Sequence, residues 1–217
     1  RVFYDEGEIT LEKIYSFVNM PFNGNNIERT EWGILWANKI DYLEYEIGQL
    51  GQKHPEIRDT FSYFVGMGET AIQLVNMVLS DEKKNLMFLK TIGHDRIRAE
   101  DTLFDLYNPL NLVVDYRIRD MAEYFKHCFF AGHSIEKEIM EFLQYSNLGA
   151  DEGVLFLARM LYPTYYFDLY EDIISGVDRK SELKKVISKV DDYQDVIKKI
   201  YKYYRNYLSI VLIEWLE

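Results

Sequence analysis

Six large apolar residues near the start of the chain recur at intervals that only an α-helix brings onto one face. Trp32, Trp36, Ile40, Leu43, Ile47 and Leu50 follow one another at steps of 4, 4, 3, 4 and 3, which makes a single amphipathic stripe. Thr30 is placed to cap this helix and Gly51 to end it. Asp41, Glu44 and Glu46 fall away from the centre of the stripe. Such a stripe must be covered by other elements, and the rest of the chain supplies more helices. Thr10 can cap one that carries Leu11, Ile14, Phe17 and Val18. Pro55 can open another, with Phe61, Phe64, Val65, Ala71, Ile72, Leu74 and Val75. Gly66 and Gly68 bend that helix or let a neighbour come close. Asp81 to Asn85 reads as a polar turn.

Beyond residue 117 the helical period returns. Ile118, Met121, Ala122, Phe125, Cys128 and Phe129 form one stripe, closed by Gly132. Ser134 and Asp151 can cap the next two helices, the second meeting Pro163. Another runs from about Thr164 to Ser175 before Gly176, and Ser181 starts one that ends near Asp191. The last carries Val196, Ile200, Tyr204, Tyr207, Val211 and Trp215. There is no internal repeat. This order argues for a mainly α domain and against an alternating β-α sheet. Trp36, Ile40, Leu43, Phe64, Ile72, Phe125, Leu161 and Trp215 are expected in one core.

One stretch interrupts the helices. From about Leu86 the chain is apolar with few helix signals, and Leu112-Val113-Val114 is a short apolar run after Asn108-Pro109. Short apolar runs bounded by turn residues read as buried strands. Residues 86–116 therefore form a small β/loop insert, in which 112–114 is expected to pair with a strand between Leu103 and Leu106. His94, Asp95, Arg96, Asn111, Asp115, Arg117, Arg119 and Asp120 crowd into and just after it. Irregular segments on a rigid scaffold are where chemistry concentrates. Read plainly, His94 beside a strand is a hydrogen-bonded structural histidine, and Asp120 is a helix N-terminal carboxylate. No glycine pattern that cradles phosphate is present.

Charge and cysteine usage narrow the function classes. With 25 basic and 36 acidic residues the net charge is −11. Nucleic-acid binding is not expected, because phosphate contacts need a basic patch. The basic-rich stretch from Arg179 to Arg205 alternates with Asp191, Asp192 and Asp195, and reads as a solvated helix face. The 18 tyrosines read as core and interface residues rather than stacking platforms. The single Cys128 excludes an internal disulfide and a cysteine-rich metal site. His127 and His133 lack a carboxylate on the same face and read as no metal site. No apolar run reaches the roughly 18 residues of a membrane span, and no signal peptide is seen. The chain opens on Arg1 and reads like mid-protein sequence, which predicts a fragment.

Several strings, spread along most of the chain, carry a family resemblance. They are R-T-E-W-G-I-L-W-A-N-K-I-D-Y-L-E from Arg29, F-S-Y-F-V-G-M-G-E-T-A-I-Q from Phe61 and T-I-G-H-D-R from Thr91. V-V-D-Y-R-I-R-D-M-A-E-Y from Val113, A-R-M-L-Y-P-T-Y-Y-F from Ala158 and the terminal I-E-W-L follow. In this order they resemble the C-terminal lobe of bacterial spore coat proteins of the CotS/YutH type, which share the aminoglycoside-phosphotransferase (choline-kinase-like) fold. The resemblance implies one kinase-like C-lobe over 1–217, lacking the N-terminal nucleotide-binding lobe. It also implies a coat protein, made in the cytoplasm, whose partners are other coat proteins.

Active members of that fold carry H-G-D with an Asn further on, then an I-D-W/F segment whose Asp binds magnesium. Here His94 matches the motif histidine, Asp95 falls at the glycine, Arg96 at the catalytic aspartate and Asp101 at the asparagine. R-D-M-A-E-Y resembles the R-D-L-A segment, which makes Asp120 the aspartate that braces the loop, with Arg119 and Asp115 beside it. Counting back places Asn111 at the magnesium aspartate. An arginine cannot accept a proton, and general-base help is worth ~10²–10⁴ in rate. The resemblance thus implies a scaffold without phosphotransfer, in which Arg96 and Asn111 could at most hold a nucleotide or anion, with no cofactor expected. The alternative is a one-residue slip, with Asp95 as base and Asp115 as magnesium ligand. The chain would then belong to an ATP-dependent phosphotransferase acting on a hydroxyl or amine acceptor.

Overall fold

The computed structural model describes residues 7–18, 20–23, 25–80, 86–97, 101–208 and 213–217. In chain order these form α1 (Leu11–Tyr15), α2 (Trp32–Leu50), α3 (Pro55–Leu79), β1 (Lys90–His94), α4 (Leu103–Leu106) and β2 (Leu112–Tyr116). Then come α5 (Arg119–Ala131), α6 (Glu136–Tyr145), α7 (Ala150–Leu161), α8 (Thr164–Ile174), α9 (Lys180–Ser188) and α10 (Val190–Leu208). The described residues are mainly helical, with one two-stranded antiparallel sheet among them. It divides into two compact units, each built from two separated stretches. Residues 1–31 and 81–139 make the first, and 32–80 and 140–217 the second. No described helix is long and apolar enough to cross a membrane.

The second unit is organised on α2, α3 and α7. The stripe of α2 turns inward through Trp32, Trp36, Ile40 and Leu43, all buried, while Ile47 and Leu50 are half-covered. From Glu152 to Leu161 every residue of α7 is buried, as a helix enclosed on all sides requires. Its Arg159 is buried too. The guanidinium lies 5.0 Å from the Trp32 ring and 5.3 Å from Trp36, and Trp36 stacks on Tyr162 at 4.2 Å. Gly68 of α3 allows close packing, because a Cβ there would lie 2.8 Å from Ile40 Cδ1. Three buried tyrosines place their hydroxyls on helix carbonyls. Tyr193 donates to Met160 O at 2.7 Å, Tyr166 to Ile57 O at 3.2 Å and Tyr170 to Leu43 O at 3.3 Å.

Local signals place several helix ends. Thr10 Oγ1 accepts from Lys13 N at 3.4 Å, Pro55 opens α3, and Gly132 closes α5 in the left-handed region at φ 105°. Others differ. The α7 cap is Gly149, not Asp151, and its amide donates to the Glu152 carboxylate at 3.3 Å. Thr30 precedes α2 with its hydroxyl on Glu28. The expected core also needs correcting. Phe125 is buried in the first unit, not with the α2 stripe, and Ile72 is half-buried. Trp215 is 38% exposed while Leu216 is fully covered. A 3-10 turn over Glu214–Leu216 has period three, so the helical stripe cannot be extended to Trp215. The expected turn at 81–85 and the side chains of Tyr207 and Val211 lie outside the described residues.

Candidate functional site

The sheet of the first unit fixes the site. β1 and β2 pair antiparallel, Lys90 with Tyr116, Thr91 with Asp115, Ile92 with Val114, Gly93 with Val113 and His94 with Leu112. The ladder continues past β1, where Asp95 N donates to Asn111 O at 2.7 Å. On the other edge of β2, residues 27–29 add a short parallel segment. Val114 N donates to Ile27 O at 2.7 Å and Arg29 N to Val114 O at 2.9 Å.

The expected pairing of 112–114 with 103–106 is therefore wrong. Leu103–Leu106 is a helical turn, because Thr102 and Asp105 form a capping box. Thr102 N donates to Asp105 Oδ2 at 2.8 Å. A 3-10 turn over Pro109–Asn111 then leads into β2, where a hairpin loop was expected. Asn111 donates its amide to Asp105 O at 3.3 Å.

His94 is the centre of the first unit's polar network, and it is 1% exposed. Its backbone amide donates to Asp120 Oδ1 at 3.2 Å, and its Nδ1 lies 2.7 Å from Asp120 Oδ2. Its Nε2 lies 2.8 Å from Leu106 O. A carbonyl only accepts, so Nε2 carries a hydrogen. One further proton lies between Nδ1 and the carboxylate, since two bare acceptors would repel. The edge of the ring meets Phe17, with centroids 4.6 Å apart. Gly93 keeps room for this carboxylate, because a Cβ there would lie 3.2 Å from Asp120 Oδ2. Asp120, at the first turn of α5, thus ties β1 to α4 through one imidazole.

The other candidates divide by burial. Asp115 is 1% exposed. One carboxylate oxygen accepts from Tyr116 N at 2.7 Å, and the other lies 3.1 Å from Arg119 Nε. Arg119 is itself buried and donates to the Asp95 carbonyl. Asp95 and Arg96 face solvent, and Asp95 Oδ1 lies 3.3 Å from Arg29 Nε. Asp95 is therefore the outward carboxylate of the loop, flanked by two arginines, while Asp115 is sealed beneath it. Asp101 is half-buried. Nearby, Glu28 binds Lys90 and Thr30, and these bonds hold its carboxyl below the usual range. Burial pushes the Tyr116 phenol well up, with the Asp115 and Glu28 charges adding to it. Among the described residues no three His, Cys, Asp or Glu side chains gather as a metal would require.

Sequence reasoning missed Arg29 and the Leu106 carbonyl. Arg29 lies 66 residues before Asp95 in sequence, and no spacing rule joins them. The carbonyl could have been found, because Thr102-x-x-Asp105 is a readable capping box that marks α4.

The chain covers under half the length of a curated relative. It is 28% identical over 156 residues to the "Endospore coat-associated protein YutH" of Bacillus subtilis (strain 168), covering 65% of this chain and 45% of that protein. No solved structure matches it. Residues 16–203 match the family described as "Spore coat putative kinase YutH". Most of the chain lies within that match, β1, β2 and the His94–Asp120 pair included, so the chain belongs to the spore coat putative kinase YutH family.

Proposed function

We propose that the chain is a kinase-like C-terminal lobe that does not transfer phosphate and serves the spore coat through contacts with other proteins. Coat association follows from the family. The non-catalytic reading is supported above all by the burial of Asp115 under Arg119. Phosphoryl transfer needs one carboxylate to position the attacking hydroxyl and others to hold magnesium against the phosphates. The slipped register asks Asp95 and Asp115 to do this together. Asp95 faces solvent, whereas both oxygens of Asp115 are engaged inside the unit. In the other register Arg96 stands at the base, and a guanidinium holds anions but takes no proton. Asn111 turns its amide to Asp105 O, which further weakens it as a ligand.

The test is ATP turnover by the full-length protein, with and without magnesium, against a panel of hydroxyl and amine acceptors. The expected result is no turnover above background, and at most a magnesium-independent anion or nucleotide binding weakened by Arg96→Ala. Magnesium-dependent turnover abolished by Asp95→Asn but indifferent to Arg96→Ala would overturn the proposal and establish the slipped register.

A further inference from the structure

The outer face of α2 is not built like a solvated helix face. Ile34, Leu35, Tyr42 and Tyr45 are 61%, 41%, 53% and 72% exposed. At 100° per residue Ile34, Tyr42 and Tyr45 fall within one arc, opposite Trp36, Ile40 and Leu43. The stripe runs about 16 Å along the helix axis. Tyr42 is held in place, its hydroxyl donating to Glu46 at 2.9 Å. Exposed apolar residues grouped this way, rimmed by polar ones, mark a surface made for contact.

The charge around the stripe selects the partner. Asp41 and Glu44 are exposed along it. The helix has one basic residue, Lys39, and Glu171 binds it. The face therefore offers apolar and aromatic area, with Asn38 exposed among it, and its exposed charged neighbours on the helix are acidic. A nucleic acid or an anionic lipid surface would be repelled by it. A second copy docking the same face would set acid against acid, so symmetric self-pairing is disfavoured. A segment with both apolar and cationic side chains satisfies the whole face, because its cations can meet the carboxylates and lie over the tyrosine rings.

We propose that the outer face of α2 docks a basic, apolar segment of a partner protein. The proposal deepens the protein-contact reading above by giving the partner's chemistry. The probe is a fluorescein-labelled synthetic peptide of repeated leucine and lysine turns, titrated into the full-length protein and followed by anisotropy. Saturable binding is expected, weakened about tenfold by Ile34→Ser with Tyr45→Ser and also by Asp41→Asn with Glu44→Gln. Asp191→Asn with Asp192→Asn makes the same charge change on the exposed start of α10 and should leave affinity unchanged. All the substituted side chains are exposed, and circular dichroism checks that each variant is folded.

Absent binding, equal binding by the α2 variants, or an equal loss in the α10 variant overturns the proposal. So does equal binding of a peptide with glutamate in place of lysine. Sedimentation showing a wild-type dimer that Tyr45→Ser dissolves would assign the face to a second copy and overturn it as well. A protein that turns over ATP yet binds the peptide through α2 refutes the non-catalytic reading alone. A protein inactive toward ATP that ignores the peptide refutes this one alone.

Discussion

Asp120→Ala should damage the first unit more than any other single change at its polar centre. The carboxylate is 6% exposed and accepts from the His94 amide at 3.2 Å and meets His94 Nδ1 at 2.7 Å. Truncation leaves both groups buried without an acceptor. Each orphan costs about 1–3 kcal/mol, and breaking a buried pair costs about 3–5 kcal/mol in all. These overlap, so the expected loss is about 3–5 kcal/mol, a large part of the ~5–10 kcal/mol that a unit of this size holds. Asp120→Asn should cost only about 1 kcal/mol. Its Oδ1 can accept from the His94 amide, and its Nδ2 can donate to a neutral ring that keeps Nε2–H for Leu106 O. Urea titration by far-ultraviolet circular dichroism would measure the loss. Hydrogen–deuterium exchange over residues 90–95 would locate it. A loss under about 1 kcal/mol for Asp120→Ala, or equal losses for Ala and Asn, would refute the network as drawn.

Three further outcomes are expected. Gly68→Ala places a methyl 2.8 Å from Ile40 Cδ1, a clash of about 1–2 kcal/mol offset by about 1 kcal/mol of helix propensity, so thermal melts should show a net loss of under about 1 kcal/mol. Ile40→Val, which removes that Cδ1, should recover part of the loss in the double variant. Burial pushes the Tyr166 phenol up to about 12. The folded state then keeps a proton that the unfolded chain releases near pH 10. Stability should fall between about pH 10 and 12, by up to about 1.4 kcal/mol per pH unit. Tyr166→Phe should lessen that fall in alkaline urea titrations, the rest coming from other buried tyrosines such as Tyr116 and Tyr170, and an unchanged slope would count against it. Burial also pushes the Cys128 thiol up, so iodoacetamide at pH 8 should modify it more slowly than free cysteine, and an equal rate would count against its burial.

Helices were legible where one face is buried and the ends carry local chemistry. The steps from Trp32 to Leu43 and the positive φ at Gly132 need only neighbours in sequence. The partner of β2 was not legible, because a five-residue apolar strand pairs equally well by pattern with any similar run. The sequence offered two such runs, and the nearer was a helical turn held by Thr102 and Asp105. At the site, the tie between Asp120 and His94 was reached only through family resemblance, since 26 residues separate them. Whether Asp95 or Asp115 faces outward depends on strand register, which one residue inverts. Arg29 reaches Asp95 because residues 27–29 lie along β2, a tertiary event that composition does not mark.

The division of each unit into two separated stretches sets an order of events on the ribosome. α2 and α3 emerge with Trp36 and Phe64 lacking Tyr162 and Tyr166, the rings that later stack on them, since α7 begins only at Ala150. Translation at about 5–20 residues per second leaves that surface uncovered for roughly 4–14 s. Meanwhile residues 27–29 wait for β2, and β1 waits for the same strand across the intervening α4. Neither unit can close before the other has been interrupted. A nascent chain of this design holds two half-built cores open at once, and exposed apolar surface of that kind is prone to associate with its neighbours.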